Sequence, residues 1–182
     1  VVNLNRVAQS ITLVPRDAPD DGRASRRERQ VFAQDGTPYR AILEVVTSPL
    51  GIPCNPPPWG TLAALDLASG ALRWETPFGT TRDMTPLPIG LPLGLPSMGG
   101  PLATASGLVF IGAAMDDFLR AVDTETGREL WRARLPAGGQ ATPMTYRLRP
   151  DGRQYVVLAA GGHGTLGTRQ GDWLIAWALP ER

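Results

Sequence analysis

The sequence predicts an all-β chain, a partial β-propeller, on three observations. First, "ALDLASGALRW" (residues 64–74) and "AVDTETGRELW" (residues 121–131) share the pattern A-x-D-x-x-[ST]-G-x-x-x-W. Second, a strand running into a turn occurs twice, as "LVFIGAAMD" (108–116) and "YVVLAAGGH" (155–163), each followed by another apolar strand. Third, 21 glycines and 18 prolines are spread among apolar runs, which signals many tight turns rather than disorder. A repeat of this length made of short strands is the signature of propeller blades.

The repeat has a physical reading. Asp66 and Asp123 carry carboxylates able to cap a turn, and Gly70 and Gly127 supply its positive-φ position. Trp74 and Trp131 fall on the next strand, large enough to pack between stacked sheets. Trp173 and Trp177 read as core residues, and Cys54 as a small buried apolar one. Period-two and apolar runs predict strands at 61–66, 72–75, 102–105, 108–113, 118–123, 129–135, 141–148, 155–160 and 173–179. "RPDGRQ" (149–154) is a hairpin turn around Asp151 and Gly152. Residues 17–37 are polar and charged, a long surface loop. The proline-rich "TPLPIGLPLGLPSMGG" suits neither helix nor central strand, so 77–100 reads as an irregular insertion, apolar enough to pack against something. No amphipathic helix is evident.

Composition bounds the function. A net charge of +1 gives no electrostatic case for nucleic acid or an anionic membrane. The basic run "RASRRER" reads as a solvated loop. One cysteine excludes an internal disulfide, and no metal-type spacing is present. No run of 18 apolar residues could span a membrane as a helix. The opening "VVNLNRVAQ" is not a signal peptide, and the chain reads as a piece of a longer protein ending in the last blade.

The repeat also bears on a site. Aligning "LVFIGAAMD" with "YVVLAAGGH" puts Asp116 and His163 at equivalent positions of successive units. Equivalent propeller turns lie on one face at similar radius, so the two are expected around a common centre. His163, the sole histidine, has glycines on both sides, which allow close backbone approach to a ligand, and a neutral imidazole can donate to or accept from a hydroxyl. The bland alternatives are a surface histidine bonded within a turn and a turn-capping aspartate, with Asp117 competing for either aspartate role.

The tryptophan motif resembles the blade signature of dehydrogenases dependent on pyrroloquinoline quinone (PQQ). "SPLGIPCNPPPWGTLAALDL", "GLPSMGGPLATASGLVFIGAAMDDFLRA", "RLPAGGQATPMTY" and "QYVVLAAGGHGTLGTRQGDWLIAWALP" are similar to the membrane-anchored quinoprotein glucose dehydrogenase branch, closely over residues 38–182 and loosely over 1–16. The resemblance implies an eight-bladed propeller, of which this chain supplies about three blades, with PQQ and a calcium or magnesium ion on the axis. It implies that an aspartate base takes the hydroxyl proton while hydride passes to the quinone C5 carbonyl, which the cation polarises. That base, the cation ligands and most PQQ contacts are expected upstream of this chain. Asp116 matches an aspartate near quinone and substrate, and His163 a histidine of substrate recognition. Met98 falls where the family has a PQQ-contacting residue, often Leu, and Gly99 beside it allows close approach. Asn3 matches a PQQ-contacting asparagine by its distance to "LVPR", with Asn5 two residues away as the alternative. Further implications are a sugar or polyol substrate, ubiquinone as electron acceptor, a periplasmic site on the inner membrane and an N-terminal anchor. The leading function is oxidation of an aldose such as glucose to its lactone. Alternatives are a quinate/shikimate or polyol dehydrogenase of the same architecture, and a non-catalytic envelope scaffold. The glycine-rich "AGGQATPMTY" and "AAGGHGTLG" favour a centre that admits a ligand.

Overall fold

The computed structural model describes residues 1–19, 29–49, 51–84 and 89–178. Its described secondary structure is thirteen strands and one turn of 3-10 helix at Thr81–Asp83. The chain divides into two units, Val1–Arg6 with Pro57–Arg182, and Val7–Pro56.

The smaller unit is a three-stranded antiparallel sheet in the order β2 (Gln9–Pro15), β4 (Tyr39–Val45), β3 (Arg29–Phe32). β3 falls inside the stretch expected to be a surface loop. Its Gln30-Val31-Phe32 run is strand-forming, and it pairs with Leu43, Ile42 and Ala41 of β4. Residues 20–28, which hold most of the basic run, lie outside the described residues. Cys54 is exposed rather than buried. Its main chain donates to Val46 O in the short bridge region Thr47–Pro53, and the thiol is left outside.

The larger unit holds three antiparallel sheets. The first runs β1 (Val2–Asn5), β5 (Gly60–Leu65), β6 (Leu72–Pro77). The second runs β10 (Glu129–Arg134), β9 (Phe118–Asp123), β8 (Leu108–Ile111), β7 (Leu102–Ala103). The third runs β11 (Met144–Arg147), β12 (Gln154–Ala160), β13 (Trp173–Ala178). Side chains alternate across a strand, so β8 and β9 of the second sheet feed two cores. Val109, Ile111 and Val122 join Leu62 and Phe78 on one side of the second sheet. Leu119 joins Leu135 and Leu158 on the other, with Phe110, Val156 and Ile175 packed around them. The sheets are therefore stacked face to face, as blades are.

The two turns of the repeat share one construction. Asp66 Oδ1 accepts from the Ala68 and Ser69 main-chain N–H groups at 3.0 Å and from the Ser69 hydroxyl at 3.1 Å. Asp123 Oδ1 does the same with Glu125 and Thr126. Ser69 N–H above all holds Asp66 below the usual carboxylate range, as the Thr126 hydroxyl does for Asp123. Gly70 and Gly127 each have φ 71°, the left-handed conformation that glycine adopts freely. The motif then reaches across to the next sheet. Trp74 Nε1 donates to Thr124 O at 2.9 Å, and its ring lies beneath Gly127, where a Cβ would come within 2.5 Å of it. Trp131 packs edge-on against Phe110 at 6.5 Å and Trp177 at 6.1 Å, so it also bridges sheets while remaining 40% exposed.

Other expectations shift at element ends. The 141–148 strand is shortened to Met144–Arg147: Pro143 has no N–H to give a ladder, and the Thr142 hydroxyl before it accepts from the Gly100 N–H. Trp173 is 55% exposed and not core: it opens β13, ahead of Ile175 and Trp177, which on the same face pack on the Leu135–Leu158 core. The proline-rich insertion carries no named strand among its described residues and buries Leu95 against Gly60 and Phe78. Residues 85–88, and the strand end beyond residue 178, lie outside the described residues.

These contacts rank two otherwise matched glycines. Gly70→Ala meets open space and bears only the left-handed backbone cost, roughly 1–2 kcal/mol. Gly127→Ala adds a clash with the Trp74 ring, about 1–3 kcal/mol more by overpacking. Chemical denaturation of the two variants should therefore show the larger loss at Gly127, and Trp74→Leu should shrink that difference.

Candidate functional site

The turns joining β8 to β9 and β12 to β13 leave the stack at one end, together with the segments that follow β6 and β10. Antiparallel pairing requires this, and main-chain bonds lock it. Leu135 N–H donates to Asp117 O, Gly138 N–H to Arg169 O, and Gly162 N–H to Gly138 O. Residues Thr80, Asp116, Gln140 and His163 all belong to this end.

Asp116 is 0% exposed. Arg120 of β9, four residues on, donates to Asp116 Oδ1 at 2.8 Å and to Oδ2 at 2.5 Å. The Thr80 main-chain N–H and hydroxyl donate to Oδ2 at 2.8 and 3.2 Å. Arg120 is itself only 3% exposed and bonds Glu129 at 3.1 Å, with Phe78 and Phe118 rings at 5.5 and 5.4 Å. Burial pulls the Arg120 pKa down, and Asp116 and Glu129 outweigh it, so the net direction is up. Asp116 is thus a saturated ion-pair partner: it fixes Thr80 and the turn at 115–117 and offers no free oxygen to a ligand.

Asp117 also lies at this end and is buried. Its main-chain N–H donates to Asp83 Oδ2 at 3.1 Å. Asp83 is gripped by Arg134, whose guanidinium holds it below the usual range. Asp117 is pushed up, first by burial and then by the Asp83 charge, while Arg134 at 3.6 Å and Arg169 at 3.9 Å pull the other way. A cavity of about 100 Å³ opens between Asp83, Met115, Asp117, Thr168 and Arg169. It is smaller than the roughly 300 Å³ at which small-molecule sites begin.

His163 is half-buried. Its main-chain N–H donates to Thr168 Oγ1 at 2.8 Å, Thr168 Oγ1 donates to Gln140 Oε1 at 2.9 Å, and Gln140 Nε2 donates to Ala114 O at 2.9 Å. This relay ties the β12–β13 turn to the β8–β9 turn, so the turns bearing His163 and Asp116 are joined through two buried polar side chains. The imidazole Nδ1 is buried and has no hydrogen-bond partner among the described residues. A buried imidazole nitrogen ordinarily has a partner, which suits this one to a ligand's hydroxyl or carbonyl.

The segment holding Met98 and Gly99 lies against the same array. Met98 N–H donates to Ala113 O at 2.9 Å, and the Met98 side chain is 41% exposed. Gly99, φ 114°, approaches Gln140 so closely that a Cβ would fall 2.1 Å from Gln140 O. Asn3 on β1 donates to Ser97 Oγ at 2.8 Å, while Asn5 exchanges bonds with the Ser97 main chain at 2.9 and 2.8 Å. The structure therefore brings Asn3, Met98, Gly99 and His163 onto one array of contacts. Gln140, Thr168 and Ser97 connect it and were not singled out by sequence reasoning. The glycine-rich context of "AGGQATP" is the signal that could have marked Gln140. Among the described residues no group of three His, Cys, Asp or Glu side chains could hold a metal ion. The Met98 and Gly100 N–H groups are taken by Ala113 O and the Thr142 hydroxyl, so the hydrogen-bonding groups this array keeps for a ligand are the second N–H of the Asn3 amide and the His163 imidazole.

Comparison with known proteins agrees with this architecture. Residues 1–156 match the family model for the β-propeller domain of PQQ glucose/ethanol/alcohol dehydrogenases. The chain is 44% identical over 171 residues to the quinoprotein glucose dehydrogenase of Escherichia coli, covering 92% of this chain and 21% of that protein. It is 41% identical over 185 residues to a probable quinate dehydrogenase (quinone) of Xanthomonas campestris, covering 97% and 23%. Among solved structures, the quinohemoprotein alcohol dehydrogenase of Comamonas testosteroni superposes with a TM-score of 0.52 at 25% identity, over 96% of this chain and 24% of that one. The chain spans about a fifth of the length of the curated relatives it matches.

Two outcomes follow from the buried charges. Asp116→Asn leaves Arg120 buried against a neutral group, and should cost about 3–5 kcal/mol in urea unfolding. Asp117 behaves oppositely. Burial and the Asp83 charge hold its folded pKa above the ordinary aspartate range, so its ionised form is penalised on folding, the penalty being absent below the unfolded pKa and complete above the folded one. Asp117→Asn should therefore gain melting temperature relative to wild type as pH rises from about 4 to 7, and the two profiles should converge at the acid end.

Proposed function

The chain belongs to the family of PQQ-dependent glucose, ethanol and alcohol dehydrogenases, and on that premise we propose that its three stacked sheets supply part of the ligand face of an enzyme oxidising a sugar CH–OH group. The reading is oxidation of an aldose such as glucose to its lactone. The resemblance to glucose dehydrogenases extends over most of the chain. PQQ, when bound, supplies the two-electron acceptor for the carbinol, and a calcium or magnesium ion would be held by residues other than those described.

The single observation that carries the reading is the buried, unpartnered His163 Nδ1 in a glycine-flanked turn at the ligand end of the stack. This chain's residues bind and orient. His163 holds a sugar hydroxyl through its imidazole. Asn3, the Met98 main chain and Gly99 form one wall of the quinone site. Asp116 acts on that site indirectly, by fixing Thr80 and the turn before β9. Electrons pass to ubiquinone, and the enzyme works on the periplasmic side of the inner membrane, attached by an N-terminal anchor. No described helix is long and apolar enough to cross a membrane.

A second reading has its own support. Relatives at similar identity bear the names quinate/shikimate dehydrogenase and glycerol dehydrogenase, so a cyclitol or polyol substrate fits the same site.

The test uses the intact protein that contains this segment, reconstituted with PQQ and calcium or magnesium. Dye reduction is expected with glucose and not with quinate or glycerol; the reverse order would select the second reading. Absence of PQQ-dependent quinone absorbance would reject both in favour of a scaffold. His163→Ala should raise KM for the sugar by roughly 5- to 150-fold, the loss of about 1–3 kcal/mol of hydrogen bonding, with a smaller change in kcat.

A further inference from the structure

We propose that Thr168 and Gln140 are positioning residues that set the orientation of the His163 ring, and through it the affinity for the substrate hydroxyl. This rests on the reading of His163 as a substrate-binding residue.

The hydrogen-bond relay has only one consistent polarity. Ala114 O is an acceptor, so the Gln140 amide must turn its NH₂ toward it and its oxygen toward Thr168. The Thr168 hydroxyl then donates to that oxygen, which leaves its lone pairs to accept the His163 N–H. Gln140 is 8% exposed and Thr168 9%, so none of these bonds is readily replaced by solvent. The space they occupy is made by Gly138, where a Cβ would lie 2.4 Å from Gln140 Oε1 and 2.6 Å from Thr168 Oγ1.

The turn needs this restraint. Gly162 has φ 73°, and a Cβ there would fall 2.1 Å from Arg169 O. Main-chain bonds pin the turn at Gly162, to Gly138 O, and at Gly171, to Gly161 O. Between those pins His163 is flanked by glycines, which impose little preference of their own on the backbone. The one described bond on the His163 main chain is the Thr168 hydroxyl, five residues on. Removing that hydroxyl frees the peptide that carries the imidazole, and the cost falls on a contact that requires the ring in one direction.

A merely structural role would lower stability without discriminating between kinetic constants. A positioning role makes a narrower demand: the effect on KM must vanish once the imidazole is gone. The experiment is steady-state kinetics of the intact PQQ-loaded enzyme, with glucose as the variable substrate, for Thr168→Val, Thr168→Ser and each in combination with His163→Ala. Thr168→Val, which keeps the side-chain shape, should raise KM about 5- to 50-fold with kcat within about threefold, and Thr168→Ser should return KM to within about twofold of wild type. In the His163→Ala background Thr168→Val should change KM less than about twofold. Should Thr168→Val not fold, Gln140→Met cuts the same relay and carries the same expectations. An unchanged KM in Thr168→Val or Gln140→Met, beside a raised one in His163→Ala, overturns the positioning role while leaving the histidine reading intact. An equal rise with and without the imidazole overturns it too, because the relay then acts elsewhere. A wild-type KM in His163→Ala instead removes the histidine from the substrate site, and the positioning role with it.

Discussion

Gly127 has no side chain because the Trp74 ring of the preceding sheet occupies the place where one would go. That close approach, with the indole N–H bonded to Thr124 O, sets the spacing and lateral register of the first sheet on the second. Each remaining feature of the larger unit depends on sheets being held at that spacing. The alternating cores of Leu62, Phe78 and Val109, and of Leu119, Leu135 and Leu158, close only between faces that stay parallel and near. Interiors packed to native density have no slack to absorb a shift.

Stacking then collects the turns. Once the sheets are superposed, successive β8–β9 and β12–β13 turns stand side by side, and polar groups within them must be satisfied by each other. The chain does this in two ways. Asp116 and Arg120 neutralise one another between two phenylalanine rings, with Thr80 completing the carboxylate shell. Gln140 and Thr168 carry a neutral relay between adjacent turns. The charged pair rigidifies the turn before β9 and holds Thr80; the neutral pair reaches the histidine. Asp83, Arg134 and Asp117 form a third, partly open group, in which a carboxylate crowded by another has only distant cations to offset it.

The equivalent placement of Asp116 and His163 thus has two different outcomes. The same turn position serves as an internal brace in one sheet and presents a half-buried ring in the next. Repeat symmetry specifies the location of a side chain, while its neighbours specify its job. Arg120 makes the difference: its guanidinium on β9, paired across from Ile111, captures Asp116, and the equivalent position on β13, paired across from Leu158, is the apolar Ile175.

Much of the fold was legible because its determinants are local. The Asp-x-x-[ST]-Gly turns, the tryptophans on the strands after them and the period of the apolar runs depend on residues within a dozen positions of one another, and the strands appear where that pattern places them. The failures share a cause. Residue type favours burial of Cys54 and Trp173, yet exposure depends on what lies opposite, and Trp173 sits at the very start of its strand. Arg29–Phe32 was read as loop from its charged surroundings, although pairing with β4 decides it. At the site, sequence alone could nominate His163, Asp116, Asn3, Met98 and Gly99. Only tertiary structure could show that Asp116 is sealed, that Gln140 and Thr168 stand behind His163, and that Asn3 meets a segment 94 positions away through Ser97. Those are contacts between chain segments brought together by sheet stacking, and no local spacing encodes them.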